Sequence, residues 1–155
     1  MFSDDLERRL NRRNLLEDEL RHALADRDGL FVCYQPQVDA ETGRIVGFEA
    51  LARWRRQNGE LVSPQEFVGI AEETGLIRQL DSFVFIEAAA VARRRPDLFI
   101  SVNLSPIQLR TPGFAQSLAQ TIKTEGVTAE QIELEITEGV LLLSLIHISE
   151  PTRPY

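Results

Sequence analysis

The sequence has few of the residues that build disulfides and soft-metal sites. Its 155 residues include one cysteine, Cys33, and two histidines. A single cysteine cannot form an intrachain disulfide, and its apolar neighbours favour a small buried side chain in a reducing compartment. Neither a CxxC nor an HExxH spacing is present, so we do not expect a zinc enzyme.

Long apolar runs are also missing. The N-terminus carries charge from Asp4 onward and lacks the apolar segment of a signal peptide. The longest apolar stretch, Phe83 to Ala92, is interrupted by Glu87 and is far shorter than the ~20 residues of a membrane span. We therefore expect a cytoplasmic protein with no membrane segment in this chain.

A surplus of basic residues is missing as well. The chain has 17 Lys and Arg against 24 Asp and Glu, which gives a formal net charge of −7 at pH 7. Nucleic-acid-binding proteins usually carry a basic surface, so DNA or RNA binding is not expected. The acidic balance is compatible with a cation site. No glycine-rich phosphate loop and no GxSxG nucleophile motif occurs.

What the sequence does have is the composition of a globular domain. Hydrophobic residues make up 43% and charged residues 26% of the chain. One domain is the ordinary expectation at this length. A complete (β/α)₈ barrel needs about 250 residues, which is well beyond this chain.

Hydrophobic periodicity predicts an α/β chain. Residues 3–28 place leucines at helical spacing among many charges, which is typical of a connector helix. Two strands, 30–38 and 44–51, are separated by a short turn and can pair antiparallel. Helices and strands then alternate, which favours parallel strands. The predicted helices are 64–75, 76–95 and 112–125, and the predicted strands are 98–102 and 131–136.

Three of the predicted strands end in an oxygen-bearing side chain: Glu49, Asn103 and Glu135. Parallel α/β folds build their sites at the carboxyl ends of strands, and carboxylate and amide oxygens suit Mg²⁺ or Mn²⁺. The two carboxylates could instead serve a glycosidase. Only Trp54 and Tyr34 are near these strands in sequence as aromatic residues for a sugar site, so we favour the metal site.

Four ordered motifs carry a resemblance to a known family. They are Tyr34-Gln35-Pro36, Gly47 to Trp54 (GFEALARW), Asn103-Leu104-Ser105-Pro106 and Glu133 to Glu138 (ELEITE), with supporting segments at 64–70, 71–77 and Leu80-Asp81. Together they resemble the EAL domain of bacterial cyclic-di-GMP phosphodiesterases over about residues 20–142. The resemblance implies a TIM-like (β/α)₈ barrel whose first strand runs antiparallel to the others, in agreement with the hairpin above.

The resemblance also implies a reaction. The family hydrolyses one phosphodiester bond of cyclic di-GMP to give linear pGpG, and two Mg²⁺ or Mn²⁺ ions activate water and stabilise charge on the phosphate. Carried over by motif, Glu49, Asn103 and Glu135 resemble the metal ligands, and the two glutamates resemble the catalytic residues.

Further residues match the family's substrate-binding and loop positions. Gln35, Leu51 and Arg53 resemble the substrate contacts, and a guanidinium suits phosphate because it can pair with two oxygens at once. Glu138 resembles a glutamate that steadies a loop near the metals. The same residue fits equally well as an acidic residue at the start of a helix.

The sequence also departs from the family. The family continues with Asp-Asp-Phe-Gly-Thr-Gly, whose aspartates complete the metal site, and then with a lysine, a glutamate and a glutamine of the same site; none of these is present. After Leu142 the chain resembles a translated transposase adapter from sequencing-library preparation. We therefore expect a connector helix at 1–28, a partial EAL domain at 29–142 truncated to about the first four strands, and a non-native tail at 143–155.

The expected function follows from the resemblance and the departure together. The chain is expected to be an N-terminal fragment of a cyclic-di-GMP-specific phosphodiesterase and to be inactive itself. The alternative is a non-catalytic EAL-type module that binds cyclic di-GMP or a protein partner. The family also implies an upstream GGDEF or sensory domain on the connector helix, and a homodimer when the protein is complete.

Overall fold

The computed structural model describes residues 2–136. Five helices are present in this range: α1 Phe2–Asp26, α2 Pro64–Thr74, α3 Ile77–Arg94, α4 Pro106–Leu109 and α5 Phe114–Glu125. The strands are β1 Leu30–Val38, β2 Ile45–Arg55, β3 Leu61–Val62, β4 Phe99–Leu104 and β5 Ile132–Ile136, and a 3₁₀ turn covers Ala129–Gln131. The predicted α/β alternation is confirmed, whereas β3, α4 and the 3₁₀ turn were not predicted.

The strands form one mixed sheet. Its order is β1-β2-β4-β5, and the short β3 pairs with β2. β1 and β2 are antiparallel, which confirms the predicted hairpin. β2 with β4 and β4 with β5 are parallel. A first strand antiparallel to its neighbours, followed by parallel strands with helical crossovers, is consistent with part of a TIM-like barrel.

The helices cover one face of the sheet. α2 packs on β2, and α3 packs on both β2 and β4. The strand side chains on this face are apolar, and Ala50, Ile100 and Val102 are buried in the core. Because side chains alternate along a strand, the residues between them point to the opposite face. That opposite face is more polar and carries the predicted site residues; we call it the polar face.

Helix α1 has two different halves. Its C-terminal half is core, because Leu16 and Leu20 are fully buried in a cluster with Trp54 and Phe67. The rings of Trp54 and Phe67 meet edge to face with centroids 6.0 Å apart. The N-terminal half exposes Leu6 among its charges. No helix in the described range is both long and apolar enough to cross a membrane.

Two predictions about the strands were wrong. Strand β2 does not end at Leu51 but continues to Arg55, because residues 52–54 keep pairing with β1 down to Leu30. Glu49 therefore lies in the body of its strand and not at its end. Cys33 is exposed rather than buried, because it pairs with Leu51 on the polar face, away from the helices.

A glycine fixes the junction between α1 and β1. Gly29 has a φ of +77°, and a Cβ at this position would lie 2.2 Å from the backbone oxygen of Arg55. The Arg55 N–H donates to the Gly29 oxygen at 2.8 Å. Any larger residue would displace the end of β2, so this position requires glycine.

Candidate functional site

Strand register brings most of the predicted site residues onto one face. Gln35 of β1 lies opposite Glu49 of β2. Glu49 pairs with Ser101 of β4, and Asn103, two residues further along β4, pairs with Glu135 of β5. A two-residue step keeps the same side of a strand, so these side chains all belong to the polar face.

Glu49 and Asn103 are in direct contact. The Asn103 Nδ2 group donates a hydrogen bond of 2.8 Å to Glu49 Oε1, across the β2–β4 pair. This bond uses the amide nitrogen of Asn103 and not its amide oxygen, which is the atom that can ligate a cation. The two residues were predicted to act together, and the structure places them together.

Glu135 has a partner that the sequence did not indicate. Gln37 of β1 donates through Nε2 to Glu135 Oε1 at 3.2 Å. The other end of that amide, Gln37 Oε1, is buried and has no hydrogen-bond partner among residues 2–136. The available signal was its spacing, because Gln37 lies two residues from Gln35 and so shares its face.

Ser101 is a second polar residue that the sequence analysis missed. Its side chain is fully buried, and its Oγ has no hydrogen-bond partner within the described residues. It lies in register between Glu49 and Glu133. A buried hydroxyl without a partner is costly, and Ser101 Oγ shares the polar face with the unpartnered Gln37 Oε1.

Leu51 and Arg53 follow Glu49 on the same side of β2. Both side chains are half-buried. The Arg53 guanidinium donates through one terminal nitrogen to the Ala52 carbonyl oxygen at 2.8 Å. No carboxylate within the described residues pairs with Arg53, so its remaining donors can meet a ligand.

The predicted ligands are of the chemical type that a hard divalent cation prefers. Glu49 and Glu135 supply two carboxylates, and Asn103 supplies a neutral amide oxygen. Within residues 2–136 there is no cluster of three or more His, Cys, Asp or Glu side chains that could hold a metal ion. The predicted set contains only two such residues. Glu138, the remaining acidic residue predicted near the metals, lies outside the described residues.

One carboxyl group behind the polar face has a strongly shifted pKa. Burial raises the pKa of Asp81 on α3 to about 7, and the charge of Glu72 adds to this effect. Donation from the Ser105 backbone N–H and the Gln108 side chain opposes the shift. One carboxyl oxygen is still without a hydrogen bond, since Asp81 Oδ2 is buried and has no partner in the described part of the chain.

Comparison with known proteins identifies relatives of this arrangement. The sequence profile of the EAL domain family matches residues 17–151. A signaling protein of Caulobacter vibrioides is 43% identical over 131 residues, which are 84% of this chain and 16% of that protein. A cyclic di-GMP phosphodiesterase of Pseudomonas aeruginosa is 35% identical over 146 residues, which are 91% of this chain and 25% of that protein.

A solved structure shares the fold. The PaMucR phosphodiesterase, in its c-di-GMP complex, aligns with a TM-score of 0.76 and 31% identity over 86% of this chain and 56% of that chain. The present chain thus spans about half of this structure, and 16% and 25% of the length of the two curated relatives. Sequence profile, curated relatives and fold agree, and the chain belongs to the EAL domain family.

Proposed function

We propose that this chain is the N-terminal part of a cyclic-di-GMP-specific phosphodiesterase that forms pGpG. One observation carries the proposal: Asn103 is hydrogen-bonded to Glu49 at 2.8 Å and is also in register with Glu135. Three adjacent strands thereby present two carboxylates and an amide on one face. The names of the P. aeruginosa relative and of the PaMucR structure support the same substrate.

In this proposal Glu49, Asn103 and Glu135 hold Mg²⁺ or Mn²⁺. The bound ions would activate a water molecule and stabilise the charge on the phosphate. Gln35 lies opposite Glu49 in the hairpin and binds the substrate beside the metal ligands. The glycosidase alternative is not favoured, because Glu49 and Glu135, the two carboxylates on which it rested, lie in a chain of the EAL domain family.

Arg53 and Leu51 complete the proposed substrate contacts. Arg53 lies four residues beyond Glu49 on the same face of β2, so its guanidinium can reach a phosphate held at the metal ligands and pair with two of its oxygens. Leu51 lies between them and packs against the ligand. The proposed loop-stabilising role of Glu138 concerns a residue outside the described range.

The chain alone is proposed to be inactive, since it holds only three of the family's metal ligands. The direct test is incubation of the purified chain with cyclic di-GMP and Mg²⁺ or Mn²⁺, followed by chromatography for pGpG. Product formation that depends on the metal would show that the chain is active by itself.

A chimera tests the assigned residues. Residues 17–136 of this chain would replace the matching segment in the P. aeruginosa phosphodiesterase. The chimera is expected to form pGpG, and Glu49→Gln is expected to lower kcat/KM by more than the about 10–100-fold that loss of an outer-shell metal partner causes. Glu41→Gln, in the exposed β1–β2 turn, is the matched control and should not change the rate.

Two results would favour other functions. A chimera that binds cyclic di-GMP without hydrolysing it would favour the non-catalytic EAL-type module. Full activity of the Glu49→Gln chimera would remove Glu49 from the metal site.

The remaining parts of the proposal concern the whole protein. We propose a connector helix at 1–28 that joins an upstream GGDEF or sensory domain, a partial EAL domain at 29–142, and a non-native tail at 143–155, which lies outside the described residues. A homodimer and a cytoplasmic location belong to the same proposal. Sequencing the gene beyond codon 142 tests it: Asp-Asp-Phe-Gly-Thr-Gly is expected there, and the tail sequence in genomic DNA would contradict it.

A further inference from the structure

Three residues to which the proposed site assigns no role meet at one point in the fold. Glu72 lies on α2 in the 71–77 segment, Asp81 begins the second turn of α3, and Ser105 directly follows β4. The Ser105 hydroxyl donates to Glu72 Oε1 at 3.1 Å. Segments more than 30 residues apart in sequence are therefore joined just behind Asn103.

Ser105 is held on both sides of its hydroxyl group. Its Oγ donates to Glu72, and it also accepts from the Ile107 backbone N–H at 3.3 Å, as the N-cap of α4. Only 7% of Ser105 is exposed. A buried hydroxyl that uses both its donor and its acceptor function has little freedom to rotate, so the chain leaving β4 is fixed in place.

The bond to Glu72 does more than capping requires. An N-cap needs only the acceptor function of its side chain, and α4 is a single turn of four residues. Glu72 is half-buried, and it lies close enough to Asp81 for its charge to contribute to the raised pKa of that neighbour. Its bond to Ser105 ties α2 to the residue that follows β4.

The position of Ser105 affects Asn103, which lies just before it in the chain. Asn103 is the one exposed residue of β4, and the residues on both sides of it, Val102 and Leu104, are buried. Its amide can meet Glu49 at 2.8 Å only if the last residues of β4 keep their twist and position. Ser105 lies two residues beyond Asn103, so an anchor on Ser105 restricts the backbone from which the Asn103 side chain extends.

We propose that Glu72 is a positioning residue of the site: by anchoring Ser105, it holds the Asn103 amide on Glu49. Glu72 touches neither substrate nor metal in this arrangement. The assignment of Asn103 as a ligand rests on the proposed function, whereas the positioning itself is a property of the chain without any ligand. It can therefore be tested without cyclic di-GMP or a metal ion.

The experiment is ¹H–¹⁵N NMR of the full 155-residue chain. The side-chain amide signals of Asn103, assigned by their loss in Asn103→Ala, report the hydrogen bond to Glu49. Glu72→Ala is expected to shift these signals and to speed their hydrogen exchange by about fivefold, the factor that corresponds to loss of one ordinary hydrogen bond. Glu72→Gln keeps an oxygen that accepts from Ser105, so it should retain the wild-type signals.

Glu73 provides a matched control. It is the same residue type on the same helix, and it forms an exposed ion pair with Arg13 of α1 and no bond to Ser105. Glu73→Ala is expected to leave the Asn103 signals unchanged. A shift as large as that of Glu72→Ala would mean that any charge lost from α2 has this effect, and would overturn the proposal.

Two further outcomes decide the matter. Unchanged Asn103 signals in folded Glu72→Ala would overturn the positioning role. If circular dichroism shows that Glu72→Ala does not fold, Ser105→Ala decides, because it removes the same bond from the other side: moved signals support the proposal and unmoved signals refute it. Failure of the chimera to hydrolyse cyclic di-GMP would count against the proposed function and leave these NMR results intact.

Discussion

Replacing Asp81 with asparagine is expected to change how the stability of the chain depends on pH. In the folded chain, burial and the charge of Glu72 raise the pKa of Asp81 from its ordinary 3.8 to about 7. Between these two values the unfolded chain loses the proton while the folded chain keeps it. The free energy of unfolding therefore falls as the pH rises from about 4 to about 7 and levels off above that.

The size of this effect follows from the shift. A difference of about three pKa units at about 1.4 kcal/mol each gives a loss of about 4 kcal/mol across this range. The side chain introduced by Asp81→Asn does not titrate, so the variant should lack this contribution. The new amide nitrogen, placed where Oδ2 now has no partner among the described residues, costs about 1–3 kcal/mol at every pH. The pH slope is therefore the informative quantity, and not the stability at one pH.

The assay is urea unfolding at several pH values from about 4 to about 8, which spans the titration of Asp81, followed by the fluorescence of Trp54. This single tryptophan is 2% exposed and stacks edge to face on Phe67, so unfolding changes its surroundings. Asp97→Asn serves as a control with no pH slope in most of this range, because Arg95 holds the pKa of Asp97 below its ordinary 3.8 and the carboxylate is therefore ionised in the folded and the unfolded chain. Its effect should stay constant over the range in which Asp81 titrates and should shrink only as the pH falls below about 4. Parallel curves for the wild type and Asp81→Asn would refute the reasoning.

Two other substitutions have expected outcomes that urea unfolding can check. Gly47→Ala should destabilise the fold by about 1–3 kcal/mol, since the new Cβ would lie 2.6 Å from the Phe99 backbone oxygen. Gly69→Ala in α2 should instead stabilise the fold by up to about 1 kcal/mol, since a Cβ there meets nothing within 4 Å. Equal effects of the two substitutions would contradict the close approach of Gly47 to Phe99. Arg56→Met should destabilise by up to about 1 kcal/mol, because the Glu19 carboxylate, which the guanidinium now pairs with at 2.6 Å, is 35% exposed and can be hydrated once that partner is lost. An unchanged midpoint would show that the pair contributes nothing.

Local patterns predicted the elements better than their ends. Strand β1 was predicted at 30–38 and is found there, since Gly29 and the 39–43 turn bound it clearly. The end of β2 was placed four residues early. Nothing in the segment Ala52 to Arg55 interrupts a strand, and its pairing partners in β1 are what extend it. Strand ends are set by such partners, which a single segment does not reveal.

In the candidate site too, the residues in sequence motifs were predicted and the contacts between distant residues were not. Glu49 and Asn103 were identified by motif, and the parallel β2–β4 pair brings them into contact. Gln37 and Glu72 were not predicted to support the site. Each forms its bond with a residue that is distant in sequence, Glu135 in one case and Ser105 in the other. A side-chain contact of this kind depends on register and helix packing together, and neither can be read from a motif.

The two carboxylates of the proposed metal site are each held by a neutral amide. Asn103 donates to Glu49, and Gln37 donates to Glu135. A lysine or arginine at either position would satisfy the carboxylate more strongly, but its charge would also compete with a divalent cation for the same oxygens. An amide fixes one oxygen of the carboxylate and leaves its negative charge uncompensated. The polar face therefore orients both carboxylates and leaves their negative charge uncompensated, which is compatible with the proposed Mg²⁺ or Mn²⁺ site.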